Sequence, residues 1–262
     1  MLRRTPIREK LERGVPIIGT WNTLGAPLVT EVMAVAGFDF QIIDLEHGPF
    51  ILAQVNQHVS ACEGVGMACS PLVRIPSNEP WMALQALDQG AHGVVVPHIA
   101  DASAARRLAQ AIKYHPLGER GFTPFSKAGG FSNQRTADYV ATANAEVVGV
   151  AIVESIDGLS NLEEIAAQDG IDVVYFGAYD LSQALGYPGE PRHPEVVAAI
   201  RGGAERVRQA GKCAGGFVPQ SKDDIKWLLD LGMRFITYEV DSSILFKHVR
   251  DIRDWFVTEA GE

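Results

Sequence analysis

The sequence predicts a single-domain (β/α)8 barrel of the TIM type over residues 1–262, on three observations. Eight short apolar runs alternate with amphipathic segments; most runs are apolar throughout, not alternating; and no glycine-rich phosphate or dinucleotide turn follows any of them. Strands buried on both faces read as continuous apolar runs, as in a parallel sheet wrapped by helices. Eight such units in about 250 residues suit this barrel. An open doubly wound sheet would carry a G-x-G-x-x-G turn after its first strand, but here that strand runs into Gly19-Thr20-Trp21-Asn22.

In chain order the strands are expected at 16–21, 40–44, 71–75, 93–97, 147–154, 173–177, 213–218 and 235–240. Most are rich in β-branched or aromatic residues, and most are bounded by Gly, Pro or charged residues, which is how strands are punctuated. Residues 1–14 are charged and helical in pattern, and 242–258 read as a C-terminal helix. The exception to short connections is 115–145, with Pro116-Leu117-Gly118-Glu119-Arg120-Gly121-Phe122 and Lys127-Ala128-Gly129-Gly130-Phe131. Long irregular segments of this kind serve as lids, binding loops or subunit contacts, the alternative being a solvated insertion.

Composition narrows the partners. With 47% hydrophobic and 21% charged residues the chain has material for an ordinary core, and its net charge of -9 argues against nucleic acid or an anionic membrane. A small molecule becomes the expected partner. Cys62, Cys69 and Cys213 have no C-x-x-C spacing, so neither a disulfide framework nor a zinc knuckle is expected. No apolar run of about 18 residues and no leader-like h-region occurs, and a cytoplasmic location is the expectation.

Barrel enzymes build their sites at the C-terminal ends of the strands. The polar residues there are Trp21, then Asp44, Glu46 and His47, Arg74, His98, Glu154 and Asp180. Glu154 and Asp180 close consecutive strands, so their carboxylates would be neighbours, and neighbouring carboxylates repel unless a cation lies between them. With no Cys or His expected in the pair, that cation would be Mg²⁺ or Mn²⁺. The structural alternative makes Glu154 a salt-bridge partner and Asp180 a helix N-cap. Arg74 leaves an apolar strand between two prolines, a costly place for a guanidinium unless it meets an anion. That anion is a substrate, or Asp44 or Glu46, and the two readings are compatible. His47, flanked by Asp44 and Glu46, suits general-base work, with His98 the weaker candidate. No lysine stands at a strand's C-terminal end, which disfavours Schiff-base chemistry.

Taken together these segments resemble the HpcH/HpaI aldolase family, the class II pyruvate aldolases that include 4-hydroxy-2-oxoheptanedioate and 2-keto-3-deoxy-sugar-acid aldolases. The resemblance covers roughly residues 14–250. It is carried by Ala36-Gly37-Phe38-Asp39 leading into Asp44-Leu45-Glu46-His47-Gly48, by Pro71-Leu72-Val73-Arg74-Ile75-Pro76, and by Ala86-Leu87-Asp88-Gln89-Gly90-Ala91. Pro116-Leu117-Gly118-Glu119-Arg120-Gly121, Glu154 and Asp180-Leu181-Ser182 add to it.

The resemblance implies a hexamer, a trimer of dimers, with exchanged C-terminal helices. It also implies a divalent ion (Mg²⁺, Mn²⁺ or Co²⁺) on Glu154 and Asp180, chelated by a 2-oxo acid. Arg74 would stabilise the enolate oxygen, and His47 paired with Asp88 would serve proton transfer. Backbone amides near Ala178 and Tyr179 would hold the substrate carboxylate, with Trp21 lining the substrate site and Asp44 and Glu46 in support. The expected reaction is reversible cleavage of a 4-hydroxy-2-oxo acid to pyruvate, or hydroxypyruvate, and an aldehyde.

Gly177-Ala178-Tyr179 departs from the Gly-Pro-Ser or Gly-Pro-Ala that the family typically carries before the aspartate, and strand eight is bulkier and more polar than its usual version. A second enzyme reading keeps the barrel but takes a CoA thioester, as in the citrate-lyase β group. It needs a basic surface at the mouth, for which Arg120, Lys127 and Arg135 are the contributors. The non-enzyme alternative is an oligomeric binding relative whose carboxylates are structural.

Overall fold

The computed structural model describes residues 4–49, 51–64, 66, 69–132, 136–218 and 221–261. Eight parallel strands close on themselves in sequence order, β1 pairing with both β2 and β8. They are β1 (Ile17–Asn22), β2 (Phe40–Asp44), β3 (Ser70–Arg74), β4 (Gly93–Val96), β5 (Val148–Val153), β6 (Val173–Phe176), β7 (Cys213–Val218) and β8 (Phe235–Val240). These bounds fall within one residue of those read from the sequence, because the apolar runs end where the chain leaves the sheet.

The helices are α1 (Pro6–Glu12), α2 (Pro27–Val35), α3 (Val55–Glu63, after a 3₁₀ turn at Leu52–Gln54), α4 (Pro80–Asp88), α5 (Ala102–Ile112) and α6 (Thr136–Glu146). They continue with α7 (Ile156–Ser160), α8 (Leu162–Ala166), α9 (Ala178–Ala184), α10 (Pro194–Gln209), α11 (Lys222–Asp230) and α12 (Asp241–Ala260).

Continuous burial of the strands follows from two apolar layers. Phe40, Ile42, Leu72, Val95, Val150, Tyr175 and Phe235 fill the inside of the barrel. Ile43, Val73, Val94, Val96, Ala151, Val174 and Ile236 meet the helices outside. Inside, Phe40 and Phe235 stack with centroids 4.1 Å apart. Gly215 makes room for this packing, since a Cβ there would lie 2.9 Å from the Tyr175 ring. At the N-terminal end α1 lies across the barrel: Ile7 joins the inner cluster, and Arg8 pairs with Asp172 at 2.6 Å.

The stretch 115–145 differs from its reading as a loop region. Its second part is helix α6, and the whole stretch sits between α5 and β5. The chain must enter β5 from its N-terminal end, so this stretch lies at the end opposite the strands' C-termini. Its bonds agree: Ala128 N–H donates to the Asp88 carbonyl at 3.3 Å, and Lys127 pairs with Glu63 at 2.8 Å. It cannot be a lid over this chain's own mouth. A 520 Å³ cavity on that side is lined in part by Leu87, His92, Arg120 and Tyr139.

Among the described residues, no helix is long and apolar enough to cross a membrane. Helix α12 leaves Leu245, Phe246, Val249, Ile252, Trp255 and Phe256 exposed, and α2 exposes Leu28, Val32 and Val35.

Candidate active site

The C-terminal end of β2 sets the first part of the site. Asp44 is buried, and its Oδ1 accepts the backbone N–H groups of Glu46 (3.1 Å) and His47 (3.3 Å). This turn, of the kind aspartate favours, lets the chain leave the sheet with Glu46 and His47 in sequence. Next door, β3 delivers Arg74 in register with Asp44. The guanidinium donates from Nε to Asp44 Oδ1 (2.8 Å) and from Nη2 to Oδ2 (2.5 Å), while Nη1 meets Glu46 at 2.9 Å. Its Cζ lies 4.2 Å over the Trp21 ring. A guanidinium has five N–H donors. Three are engaged in these contacts, and two are left over. Both readings of Arg74, structural pair and anion clamp, are therefore open to the same side chain.

The second part is built by β4, β5 and β6. His98 has φ 57°, a left-handed conformation that side chains seldom adopt. This turns two of its nitrogens onto one atom: the backbone N–H donates to Glu154 Oε1 at 2.7 Å, and ring Nδ1 stands 2.7 Å from the same oxygen. Its Nε2 lies 3.8 Å from Glu46, so His98 links the two parts of the site. Burial pushes the Glu154 carboxyl above the usual carboxylate range; the His98 N–H and imidazole oppose this, and the charges of Asp180 and Glu46 add to it. Asp180 is exposed in the first turn of α9, whose N-cap is Gly177. Its carboxylate accepts no hydrogen bond from a described residue, so it is not the N-cap that the structural alternative required.

These residues suit a hard cation. Among the described residues no group of three or more His, Cys, Asp and Glu side chains is arranged around a metal position, but the Asp180 charge acts on the Glu154 carboxyl, and this pair could share a cation. Two carboxylates, with water and substrate supplying the rest, is the habit of Mg²⁺. Gly177 keeps the space beside them free, since a Cβ there would lie 2.8 Å from Glu154 Oε2. Charge points the same way: Asp44, Glu46, Glu154 and Asp180 outnumber Arg74, so the mouth is strongly negative.

The remaining strands bring rings. Trp21 Nε1 donates to Thr237 Oγ1 at 3.1 Å, and the Tyr175 hydroxyl lies 2.6 Å from the same oxygen. Phe217, the last inward residue of β7 before the mouth, has its ring 6.2 Å from that of Tyr179. The polarity of β8 does not reach the mouth as bulk: Tyr238 packs outward, and Glu239 is bonded by Ser243 (3.0 Å) and Lys247 (2.7 Å) of α12. Phe217 and Thr237 were missed in the sequence, although inward alternation along β7 and β8 was signal enough to find them.

One implied pairing does not form within the chain. Asp88 ends α4, at the end of the barrel where β4 begins, whereas His47 follows the C-terminal end of β2. Arg120 takes the Asp88 carboxylate at 2.8 Å, and His47 is exposed. The contributors expected for a CoA thioester are not gathered at the mouth: Arg120 and Lys127 lie at the opposite end in ion pairs, and Arg135 is outside the described residues.

A model of the HpcH/HpaI aldolase/citrate lyase family matches residues 18–247. The chain belongs to this family. It is 33% identical over 249 residues to the hydroxypyruvate/pyruvate aldolase of Paraburkholderia phytofirmans, covering 94% of this chain and 95% of the relative. It is 36% identical over 239 residues to the 4-hydroxy-2-oxo-heptane-1,7-dioate aldolase of Klebsiella pneumoniae subsp. pneumoniae, covering 91% and 88%. An HpcH/HpaI aldolase/citrate lyase family protein from Burkholderia cenocepacia J2315 has the same fold, with a TM-score of 0.91 at 32% identity over 96% of this chain and 99% of that one. As a member of the HpcH/HpaI family with aldolases as relatives, the protein is an enzyme, a carbon–carbon lyase of the aldolase class.

Proposed function

We propose that the protein is a divalent-metal-dependent class II aldolase that reversibly cleaves a 4-hydroxy-2-oxo acid to pyruvate, or hydroxypyruvate, and an aldehyde. The observation that carries this reading is Arg74, fixed by Asp44, Glu46 and Trp21 with two N–H donors left over, in a mouth otherwise too negative to admit a 2-oxo acid anion.

Glu154 and Asp180 would hold the ion, Mg²⁺ or Mn²⁺, with Co²⁺ a substitute. When bound, the ion draws electron density from the 2-oxo acid and lowers the cost of removing a C3 proton. Arg74 supplies fixed donors where negative charge develops on the keto oxygen. Asp44 and Glu46 hold its fork, and His98 holds Glu154. The backbone N–H groups of Ala178 and Tyr179, unpartnered within a helix's first turn, orient the substrate carboxylate. His47 moves protons at C3 and at the 4-hydroxyl oxygen.

Asp88 can serve His47 only from a second copy, because the two stand at opposite ends of one barrel. The exposed apolar side chains of α12 and α2 support such an assembly, with α12 exchanged between copies in a hexamer. Native mass spectrometry tests it, and a monomer at micromolar concentration would refute it.

The activity is tested by following deuterium exchange at C3 of pyruvate by NMR, with and without Mg²⁺ or Mn²⁺. Metal-dependent exchange without any aldehyde is expected, and none with any divalent ion would overturn the reading.

A further inference from the structure

Two rings at the mouth, those of Tyr179 and Phe217, have no role in the scheme above. Inward positions on β7 run Cys213, Gly215 and Phe217, and the first two sit in the filled interior, where Gly215 yields to Tyr175. Phe217 is the next inward residue, half-buried, and its ring meets that of Tyr179 at 6.2 Å with a 59° tilt. Tyr179 is 47% exposed and directly precedes Asp180. A chain gains little by leaving an aromatic ring half in water at a polar mouth unless something apolar is to cover it. These rings rise from β6 and β7, beside the carboxylates that would hold the ion and across from the polar groups of β2 to β4.

We propose that Tyr179 and Phe217 form the acceptor subsite, and that it takes aldehydes with an apolar or aromatic body in preference to polyhydroxylated ones. This rests on the aldolase reading and adds its second substrate. In the forward direction the C3 electron pair of the pyruvate enolate forms a bond to the aldehyde carbon, and the aldehyde oxygen takes up a proton to become the 4-hydroxyl. In reverse, that hydroxyl loses its proton, the C3–C4 bond breaks and C3 regains the pair. The rings take no part in these transfers. They hold the aldehyde's body, and a hydroxylated body laid against them leaves its hydroxyls without partners, which costs binding.

The test is the ratio of kcat/KM for benzaldehyde to that for glyceraldehyde, with pyruvate as donor, in the wild type and in Phe217→Ala, Phe217→Leu, Tyr179→Ala and Tyr179→Phe. Apolar contacts of this size discriminate by roughly 10- to 200-fold. The ratio is expected to favour benzaldehyde in the wild type, to fall about tenfold or more in both alanine variants, and to be kept in Tyr179→Phe. Phe217→Leu preserves most of the volume and stands in should Phe217→Ala fail to fold; it is expected to lower the ratio in the same direction. A wild type that exchanges pyruvate C3 hydrogen but shows ratios unmoved within about twofold in the Phe217 and Tyr179→Ala variants overturns the subsite alone. Absence of exchange with every divalent ion overturns the aldolase reading and the subsite with it.

Discussion

The mouth of this barrel has two unlike halves. The ends of β2 to β5 carry Asp44, Glu46, Arg74, His98 and Glu154, locked to one another by ion pairs and by a strained backbone at His98. The ends of β6 to β8 and β1 carry Tyr175, Tyr179, Phe217, Thr237 and Trp21, joined by ring contacts and neutral hydrogen bonds. Asp180 stands on the seam. Charged groups in the first half cost desolvation and are tolerated for chemistry, whereas the second half is an extension of the core. Substitutions in the two should fail differently, the first in turnover and the second in stability or selectivity.

The largest effect expected is from Asp180→Asn. Removing one of only two carboxylates should lower metal-dependent C3 exchange by more than about 100-fold, since losing even an outer support of a metal site costs 10- to 100-fold. The circular dichroism spectrum should be unchanged, because Asp180 bonds to no described residue. Retained exchange would remove Asp180 from the metal site.

Arg74→Lys comes next. A lysine keeps the charge but not the fork that spans Asp44 and Glu46, and a fall in kcat of roughly 100-fold is expected, the size seen when one fixed donor is lost. A kcat within about threefold of the wild type would mean that charge alone suffices.

The charged half should also show in the pH dependence of stability. The Glu154 carboxyl is raised by burial and by its acidic neighbours, so folding favours its protonated form. Without metal, its contribution is full below the ordinary carboxylate pKa and is lost as pH rises through the raised value. Thermal unfolding should therefore show a decline across that window that Glu154→Gln flattens. Mg²⁺ at about 100 times its Kd should stabilise the upper end by about 2.7 kcal/mol. A wild-type profile parallel to that of Glu154→Gln would refute this.

The smallest effect belongs to the aromatic half. The Tyr175 hydroxyl is buried, pushed up to about 12 mainly by desolvation, and bonded to Thr237. Tyr175→Phe removes one neutral hydrogen bond, so a loss of about 1 kcal/mol by urea unfolding is expected, with kcat within about threefold. A tenfold drop in kcat would place this hydroxyl in the chemistry and dissolve the contrast between the halves.

The fold was legible because its strands are buried on both faces: runs such as Gly93-Val94-Val95-Val96 have no polar face to disguise them. Helix α6 was not, since it follows a stretch of glycines and aromatics and carries only a weak apolar stripe, Tyr139 being its buried anchor. Of the candidate site, Asp44, Glu46, Arg74, Glu154 and Asp180 were legible as strand-end residues, where a charge after an apolar run stands out. The bonds of His98 were hidden because they depend on a positive φ, which no local signal at Pro97-His98-Ile99 announces. Asp88 was assigned to His47 without regard to the end of the barrel at which α4 stops, and a sequence motif carries no such direction.

Trp21 lies under the Arg74 guanidinium and is buried, Trp227 is half-buried under Arg192, and Trp81 and Trp255 are exposed on helices. The molecule thus carries its own optical probe. In a Trp227→Phe variant iodide quenches the exposed indoles and leaves Trp21 emitting, and a carboxylate drawing Arg74 off the ring changes that residual emission. Ligand arrival can be timed in a stopped-flow instrument without any added label.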